Sequence, residues 1–396
     1  MKNKMVSKRQ LFFQHIGQTS PQPIGLEIEK AEGIYLYSTD GKRYIDLVSG
    51  VSVSNLGHNH PKIVNAVKEQ AEKYMHLMVY GEYVEAPQVL YAKKLTDALP
   101  ERLNNLYYVN SGSEAIEAAI KLSKRYTGRR EIVAFKNAYH GSTHGALSIG
   151  NESLKNAYRP LLPEIRILEF NNEEQLRQIT EQTACVVIEP IQAEGGCILP
   201  EDDFLKKLRK RCDEVGALLV FDEIQMGFGR TGKLFAFENY GIVPDILCLA
   251  KAMGGGMPLG GLISDKKILD SFTSNPMLGH ITTFGGHPVS AAAGLASFEL
   301  LTEGNILDKV EEKGRRFETA LKDLPQVKEI RRIGLFLAVE MYDAASFESY
   351  MQRGFELGLI NDPFLFYSNT FRISPPLNIT DWEIEEAINL IISALK

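Results

Sequence analysis

Short runs of apolar residues punctuate the middle of the chain at 106–109, 132–135, 165–170, 185–188, 217–221 and 246–250, each closed by a polar residue or a glycine. They are Val-, Ile-, Leu- and Phe-rich with little alternation, which predicts strands buried on both faces, as in a parallel sheet covered by helices. Between them the apolar spacing turns helical. Ile116, Ala119, Ile120 and Ser123 share one side of 113–125, and Leu205, Leu208, Cys212 and Val215 one side of 203–215, with Gly216 as the stop. Residues 22–55 instead alternate and turn at Asp40-Gly41, the pattern of a hairpin. The last stretch reads as amphipathic helices over 305–323, 346–358 and 381–395 with a short strand at 335–341. No linker rich in Pro, Gly or Ser divides the chain. The expectation is an α/β fold with a mainly parallel central sheet in a large domain (59–290), and a smaller α+β domain made from both chain ends (1–58 and 291–396).

Composition narrows the function more than the fold. At roughly 150 residues per domain, 396 residues suggest two to three domains. With 44% hydrophobic and 24% charged residues the chain is an ordinary globular one, not collagen-like or disordered. A formal charge of -6 gives no basic footprint for nucleic acid. No apolar stretch reaches the ~20 residues of a spanning helix, and the basic start carries only Leu11-Phe12-Phe13 where a secretory signal needs a longer apolar core. A cytoplasmic location is therefore expected. Cys185, Cys197, Cys212 and Cys248 show no paired or zinc-like spacing and read as buried, reduced thiols, with no metal site.

Two glycine motifs point away from nucleotides. The stretch from Gly227 to Lys233 nearly spells a P-loop, but Leu234 replaces the magnesium-binding Ser or Thr and the stretch follows an acidic strand end instead of preceding one. The same glycines form GxGxxG without a helix behind them, so a structural loop is expected.

The chemistry gathers at predicted strand ends. Lys251 follows the run 246–250 and precedes Gly254-Gly255-Gly256, where burial lowers the proton affinity of an amine that bonds to aldehydes. Asp222 ends another buried run, and ends of parallel strands converge on one crevice. Pyridoxal phosphate requires such a pair: a lysine for its aldehyde and a carboxylate to keep its pyridine nitrogen protonated. Ser111-Gly112-Ser113 at a helix start offers backbone amides to a phosphate. Tyr139 beyond the run 132–135 offers a ring to stack on a flat heteroaromatic.

These motifs, in this order, resemble those of the class III (omega) aminotransferases of pyridoxal-phosphate fold type I, closest to the acetylornithine and ornithine aminotransferases. The likeness runs over most of the chain: Leu56-Gly57-His58-Asn59-His60-Pro61, Asn110-Ser111-Gly112-Ser113-Glu114, Glu189-Pro190-Ile191-Gln192-Ala193-Glu194-Gly195-Gly196, Asp222-Glu223-Ile224-Gln225, Ala250-Lys251-Ala252, Thr282-Thr283-Phe284-Gly285-Gly286 and Phe371-Arg372-Ile373-Ser374-Pro375-Pro376. The resemblance implies that Lys251 bonds to the cofactor and Asp222 pairs with its ring nitrogen. Gly112 and Ser113 would hold the phosphate, Tyr139 and Ile224 would sandwich the ring, and Gln225 would lie near its phenolic oxygen. Ser111, His140, Glu189 and Thr282 complete the implied cofactor set, and Thr283 would reach the phosphate in a neighbouring subunit, making a homodimer with composite sites. Arg372 would grip the carboxylate of an oxo acid such as 2-oxoglutarate, neutralised by Glu194 when a donor presents a distal amine. The implied activity is ping-pong transamination in amino-acid metabolism, with arginine biosynthesis as one setting.

This chain departs from the family at Ser142, where these enzymes carry an arginine that binds a substrate carboxylate. A serine supplies one hydroxyl and no charge. Donors such as lysine, a diamine or a β-amino acid therefore stand beside acetylornithine and ornithine, and decarboxylation or an aminomutase shift are the alternative reactions. Ala193 and His287 are smaller departures.

Overall fold

In the computed structural model, which describes residues 7–79, 81–201 and 203–396, the apolar runs become strands. Residues 1–6 of the expected N-terminal unit, Tyr80 and Asp202 lie outside the described residues. β1 (Ile28–Glu32), β2 (Tyr35–Ser38) and β3 (Arg43–Asp46) form an antiparallel meander. The expected turn is there: Gly41 adopts φ +84° and its amide donates to the Ser38 carbonyl at 3.0 Å.

The central sheet has seven strands: β4 (Asn105–Val109), β5 (Glu131–Phe135), β6 (Ile165–Leu168), β7 (Thr183–Ile188), β8 (Leu218–Asp222), β9 (Ile246–Leu249) and β10 (Gly260–Ser264), ordered β4-β10-β9-β8-β7-β5-β6. Every residue of β7, β8 and β9 is buried, as continuous apolar runs require. β5 to β9 run parallel, whereas β10 is antiparallel to both its neighbours. Sequence pattern missed β10 because it opens on two glycines. They are there for close packing: a Cβ on Gly260 would stand 2.5 Å from the Ser111 carbonyl oxygen, and one on Gly261 2.7 Å from Leu106. The run 165–170 stops at Leu168 because the next amide, of Glu169, turns to donate to Gln175 at 2.7 Å.

Helices cover both faces. Gly112–Thr127 starts on Ser111, whose hydroxyl accepts from Glu114 N at 3.3 Å, and stops at Gly128 at φ +70°. Its predicted face, Ile116, Ala119, Ile120 and Ser123, is buried. Phe204–Val215 likewise buries Leu205, Leu208, Cys212 and Val215 and stops at Gly216. All four cysteines are free and buried. No helix among the described residues is long and apolar enough to cross a membrane.

Past the helix Pro288–Glu303, β11 (Val327–Ile333), β12 (Phe336–Met341), β13 (Leu359–Ile360) and β14 (Thr370–Ile373) follow. β11, β12 and β14 make an antiparallel sheet with β12 central, while β13 pairs in parallel with β3, so one sheet joins both ends of the chain. The three expected C-terminal helices are Ile306–Leu321, Ala344–Leu357 and Asp381–Leu395.

The glycine stretch after β8 is the expected structural loop. From it Arg230 enters the core, 0% exposed, donating to the carbonyls of Leu335 (3.0 Å) and Pro375 (2.7 Å) and to Asn55 Oδ1 (2.6 Å). It ties the loop after β8 to segments from both ends of the chain.

Candidate active site

β4, β5, β7, β8 and β9 all end at one edge of the sheet, and a cavity of about 430 Å³ opens there. Each strand delivers a group to it through the residues just past its end. β8 delivers Asp222, level in register with Cys248 of β9, and Lys251 follows three residues later. Ser111, Gly112 and Ser113 reach the cavity from β4, Tyr139 and His140 from β5, and Glu189 from β7. Ile224 and Gln225 complete the predicted residues that line it.

Asp222 is almost wholly buried and held on both oxygens. His140 Nδ1 lies 2.7 Å from Oδ2, and Ile224 N donates to Oδ1 at 3.0 Å. These two contacts fix the orientation of the carboxyl group before anything binds. Glu189 differs. Burial first, and Asp222 beside it second, push its carboxyl well above the usual carboxylate range.

Lys251 donates to Gln225 Oε1 at 2.9 Å. Its amine is pulled down to about 8, chiefly by burial, with Arg372 acting the same way and Glu194 and Asp222 opposing. Lys251 also sits at φ +51°, a left-handed conformation that costs a non-glycine residue on the order of 1–3 kcal/mol and is maintained by its surroundings. Gly255 at φ +58° permits the turn behind it; a Cβ there would meet the Ala293 carbonyl oxygen at 2.7 Å.

At the start of the helix Gly112–Thr127 the packing is tight. A Cβ on Gly112 would stand 2.8 Å from Ile224 Cδ1, and one on Gly141, at φ +124°, would collide with Ser113 Oγ. The helix opening there presents its first-turn amides, the usual cradle for an anion. Asn110 braces the turn, its side-chain amide donating to Glu114 Oε2 and Thr282 Oγ1, both at 2.8 Å. The buried Nε2 of Gln225 has no hydrogen-bond partner and is available to an oxygen of a bound ring. Anion cradle, buried carboxylate, depressed lysine and orphaned amide together fit pyridoxal phosphate.

The remaining predicted residues lie outside this lining. Thr282 acts on Asn110 from beside the cavity, and Thr283 is exposed on the surface. Ser142 is exposed, with Oγ 3.3 Å from the Tyr139 hydroxyl and its amide donating to Ser113 Oγ at 3.0 Å. Arg372, on β14, is fully buried and donates from Nη2 to both Glu194 oxygens at 2.7 and 2.8 Å. Sequence reasoning missed Asp362, 3.7 Å from Arg372 Nη1, and the wall of Val53, Met257, Pro258 and Leu259. Met257-Pro258-Leu259 directly follows the triple glycine, a signal within reach; Asp362 is separated from Arg372 by a loop that no periodicity reports.

Known proteins resemble this chain over nearly its whole length. The chain matches the family Aminotransferase class-III over residues 16–395. It is 38% identical over 371 residues to the [LysW]-aminoadipate semialdehyde/glutamate semialdehyde transaminase of Sulfurisphaera tokodaii, covering 92% of this chain and 93% of that one. It is also 38% identical over 376 residues to the acetylornithine aminotransferase of Methanocaldococcus jannaschii, covering 91% of each. Among solved structures, the ornithine aminotransferase of Toxoplasma gondii with partial occupancy of PLP at its active site superimposes with a TM-score of 0.88 at 28% identity, over 99% of this chain and 95% of that one. The chain belongs to the class-III aminotransferases, and it is a transaminase that uses pyridoxal phosphate.

Proposed function

We propose that this enzyme moves an amino group from an amino-acid or ω-amine donor of the acetylornithine and ornithine kind to a 2-oxo acid such as 2-oxoglutarate or pyruvate, in two half-reactions at one site. The observation that carries this reading is the convergence of Lys251, Asp222 and Gln225 on one cavity, with the Arg372–Glu194 pair beside it. When bound, pyridoxal phosphate supplies an aldehyde that bonds to amines and a ring that accepts the electrons left when the donor carbon loses its proton.

The chain's own residues do the rest. Lys251, whose amine burial draws down to about 8, would be available to take a proton from the donor carbon and return it elsewhere. Asp222, oriented by His140, would pair with the ring nitrogen and favour its protonated form. Ser111, Gly112 and Ser113 would hold the phosphate, and Tyr139 and Ile224 would confine the ring. Arg372 grips the carboxylate of the oxo acid when Glu194 releases it; with Glu194 in place the pair is neutral and admits a donor that offers no carboxylate there.

Ser142 favours a second donor class, lysine, a diamine or a β-amino acid, since its hydroxyl cannot replace a guanidinium. A homodimer is part of the proposal. Met75, Leu77, Met78, Tyr83 and Val84 are exposed apolar residues, and so are Met277, Leu278, Ile281 and Phe284; the His76 and Phe284 rings, 4.9 Å apart, join the two stretches into one patch. Thr283 lies in that patch, where it would face the cofactor of a second copy. The small unit made from 1–58 and 291–396 is likewise proposed, supported by the β3–β13 pairing.

A donor screen tests the reading. Amines and amino acids are mixed singly with the cofactor-loaded enzyme, and loss of the visible band of the bound cofactor is followed without acceptor. Terminal amines should discharge the band and a 2-oxo acid should restore it. Turnover of the donor with the band retained and no need for an oxo acid would point to decarboxylation or an aminomutase shift instead.

A further inference from the structure

Arg372 is held firmly at its backbone and by little at its head. In β14 it pairs with Ala338 of β12, its amide donates to the Asp362 carbonyl at 2.9 Å, and its carbonyl accepts from Asn361 Nδ2 at 3.0 Å. The buried guanidinium makes its hydrogen bonds through Nη2 alone, to the two Glu194 oxygens. Nε and Nη1 are buried with no hydrogen-bond partner among the described residues, and the Asp362 carboxylate, 3.7 Å from Nη1, is beyond hydrogen-bond distance. Once Glu194 moves aside for an oxo acid, no hydrogen bond among the described residues orients this head. The other basic groups nearby do not steady it: Lys251 and Arg230 both feel the Arg372 charge as repulsion.

Two aromatic rings remain against it. The guanidinium carbon lies 4.7 Å from the centre of the Phe364 ring and 5.7 Å from that of Phe336. The rings stand edge to face with centres 6.0 Å apart, so they meet the guanidinium from adjacent sides and form a corner for it. Both are buried, and a ring face attracts a cation most strongly where water is excluded. Phe336 is set by its place in β12. Phe364 is set by a loop that leans on the Glu194 segment: Phe366 N donates to the Glu194 carbonyl at 3.1 Å, and the Tyr367 ring packs on Gly196, where a Cβ would meet it at 2.8 Å. Of the loop's contacts with that segment, only the bond from Leu365 N to Oε2, at 3.3 Å, uses the carboxylate that moves. The other two leave the Phe364 ring in place when the carboxylate swings away.

We propose that Phe364 is a positioning residue of the acceptor half-reaction: its ring face keeps the Arg372 guanidinium in one orientation after Glu194 has left, ready for a two-point contact with the carboxylate of the oxo acid. The proposal rests on the reading that Arg372 grips that carboxylate. A planar, weakly hydrated guanidinium is the cation best suited to lie on a ring. Without the ring the head spreads over several orientations, and only some of them present two parallel N–H groups to a carboxylate. The donor half-reaction has no such need, because there Glu194 itself orients the guanidinium through both its oxygens.

The test uses the cofactor-loaded enzyme with Phe364→Leu or Phe364→Met, which remove the ring, and Phe364→Tyr, which keeps it, and records the melting temperature of each. Pyruvate is the acceptor, and the donor is pentylamine or whichever terminal amine discharges the cofactor fastest. Binding of propionate, a carboxylate with no carbonyl to react, is followed by calorimetry. Loss of the ring should raise both the pyruvate KM and the propionate dissociation constant by about fivefold, with kcat and discharge by donor alone within about twofold. Phe364→Tyr should stay within about twofold of the natural protein throughout. An unchanged pyruvate KM without the ring, an equal loss in donor discharge, or a Phe364→Tyr enzyme as impaired as Phe364→Leu would overturn the role of the ring and leave the transaminase reading intact. Arg372→Lys tests the reading beneath it: pyruvate KM and propionate binding both unmoved by that change would overturn the carboxylate grip, and this proposal with it.

Discussion

The cofactor end and the substrate end of this site are built by different means. At the cofactor end each group sits at the end of a strand in one sheet, so the register that pairs Asp222 with Cys248 also sets where Lys251 starts. At the end proposed for the substrate, Ser142, Glu194 and Arg372 come from separate segments, and only Arg372 lies on a strand, in a different sheet. Geometry fixed by a hydrogen-bonded ladder tolerates little change. Geometry fixed by loops can be altered one side chain at a time without disturbing the strand-end groups beside it. The link between the two ends is Arg230, whose guanidinium fastens the loop after β8 to the chain beside Arg372.

That contrast can be broken by substitution. The largest effect belongs to Asp222→Ala, which should slow the half-reaction with every donor by about a thousandfold or more, since a positioned ionisable group is worth 10²–10⁴; a loss confined to some donors would erase the distinction between the ends. Arg372→Lys keeps the charge but loses the fork. It should raise KM for 2-oxo acids by roughly thirtyfold and leave pentylamine discharge within about twofold, measured by steady-state and half-reaction kinetics respectively. Gly112→Ala forces a methyl toward Ile224 and should weaken cofactor affinity by about tenfold with little change in donor preference, read by titration of the cofactor-free protein.

The smallest effect is one of pH. The neutral amine of Lys251 is the form that bonds to an aldehyde, and with its titration drawn down to about 8 the neutral fraction rises about fivefold between pH 7 and 8 and then levels. Covalent uptake of pyridoxal phosphate by the cofactor-free protein should follow that curve. A rate still climbing tenfold per unit at pH 9 would mean that the lysine titrates as in water and that its burial has no chemical consequence.

The two ends also differ in how far they could be read from residues alone. Asp222, Lys251 and Ser111-Gly112-Ser113 are legible because each follows a continuous apolar run, and a parallel sheet gathers such ends at one edge. β10 was not, because Gly260 and Gly261 erase the apolar signal where the strand packs closest to Ser111 and Leu106. Ser142 and Arg372 were found through resemblance, not periodicity. Asp362 escaped both routes: its partner is set by a loop that returns beside β14, a tertiary fact with no local trace. Arg230 shows the converse, a visible motif whose role as a buried fastener emerges only when Asn55, Leu335 and Pro375 are brought around it.

The central claim is that the cofactor bonds at the sheet edge through Lys251. Reducing the cofactor-loaded enzyme with borohydride and digesting it locates the bond by mass spectrometry. The structure predicts the pyridoxyl phosphate mass on the peptide containing Lys251, with no label in Lys251→Ala. Label on any other lysine, or undiminished label in Lys251→Ala, would contradict it.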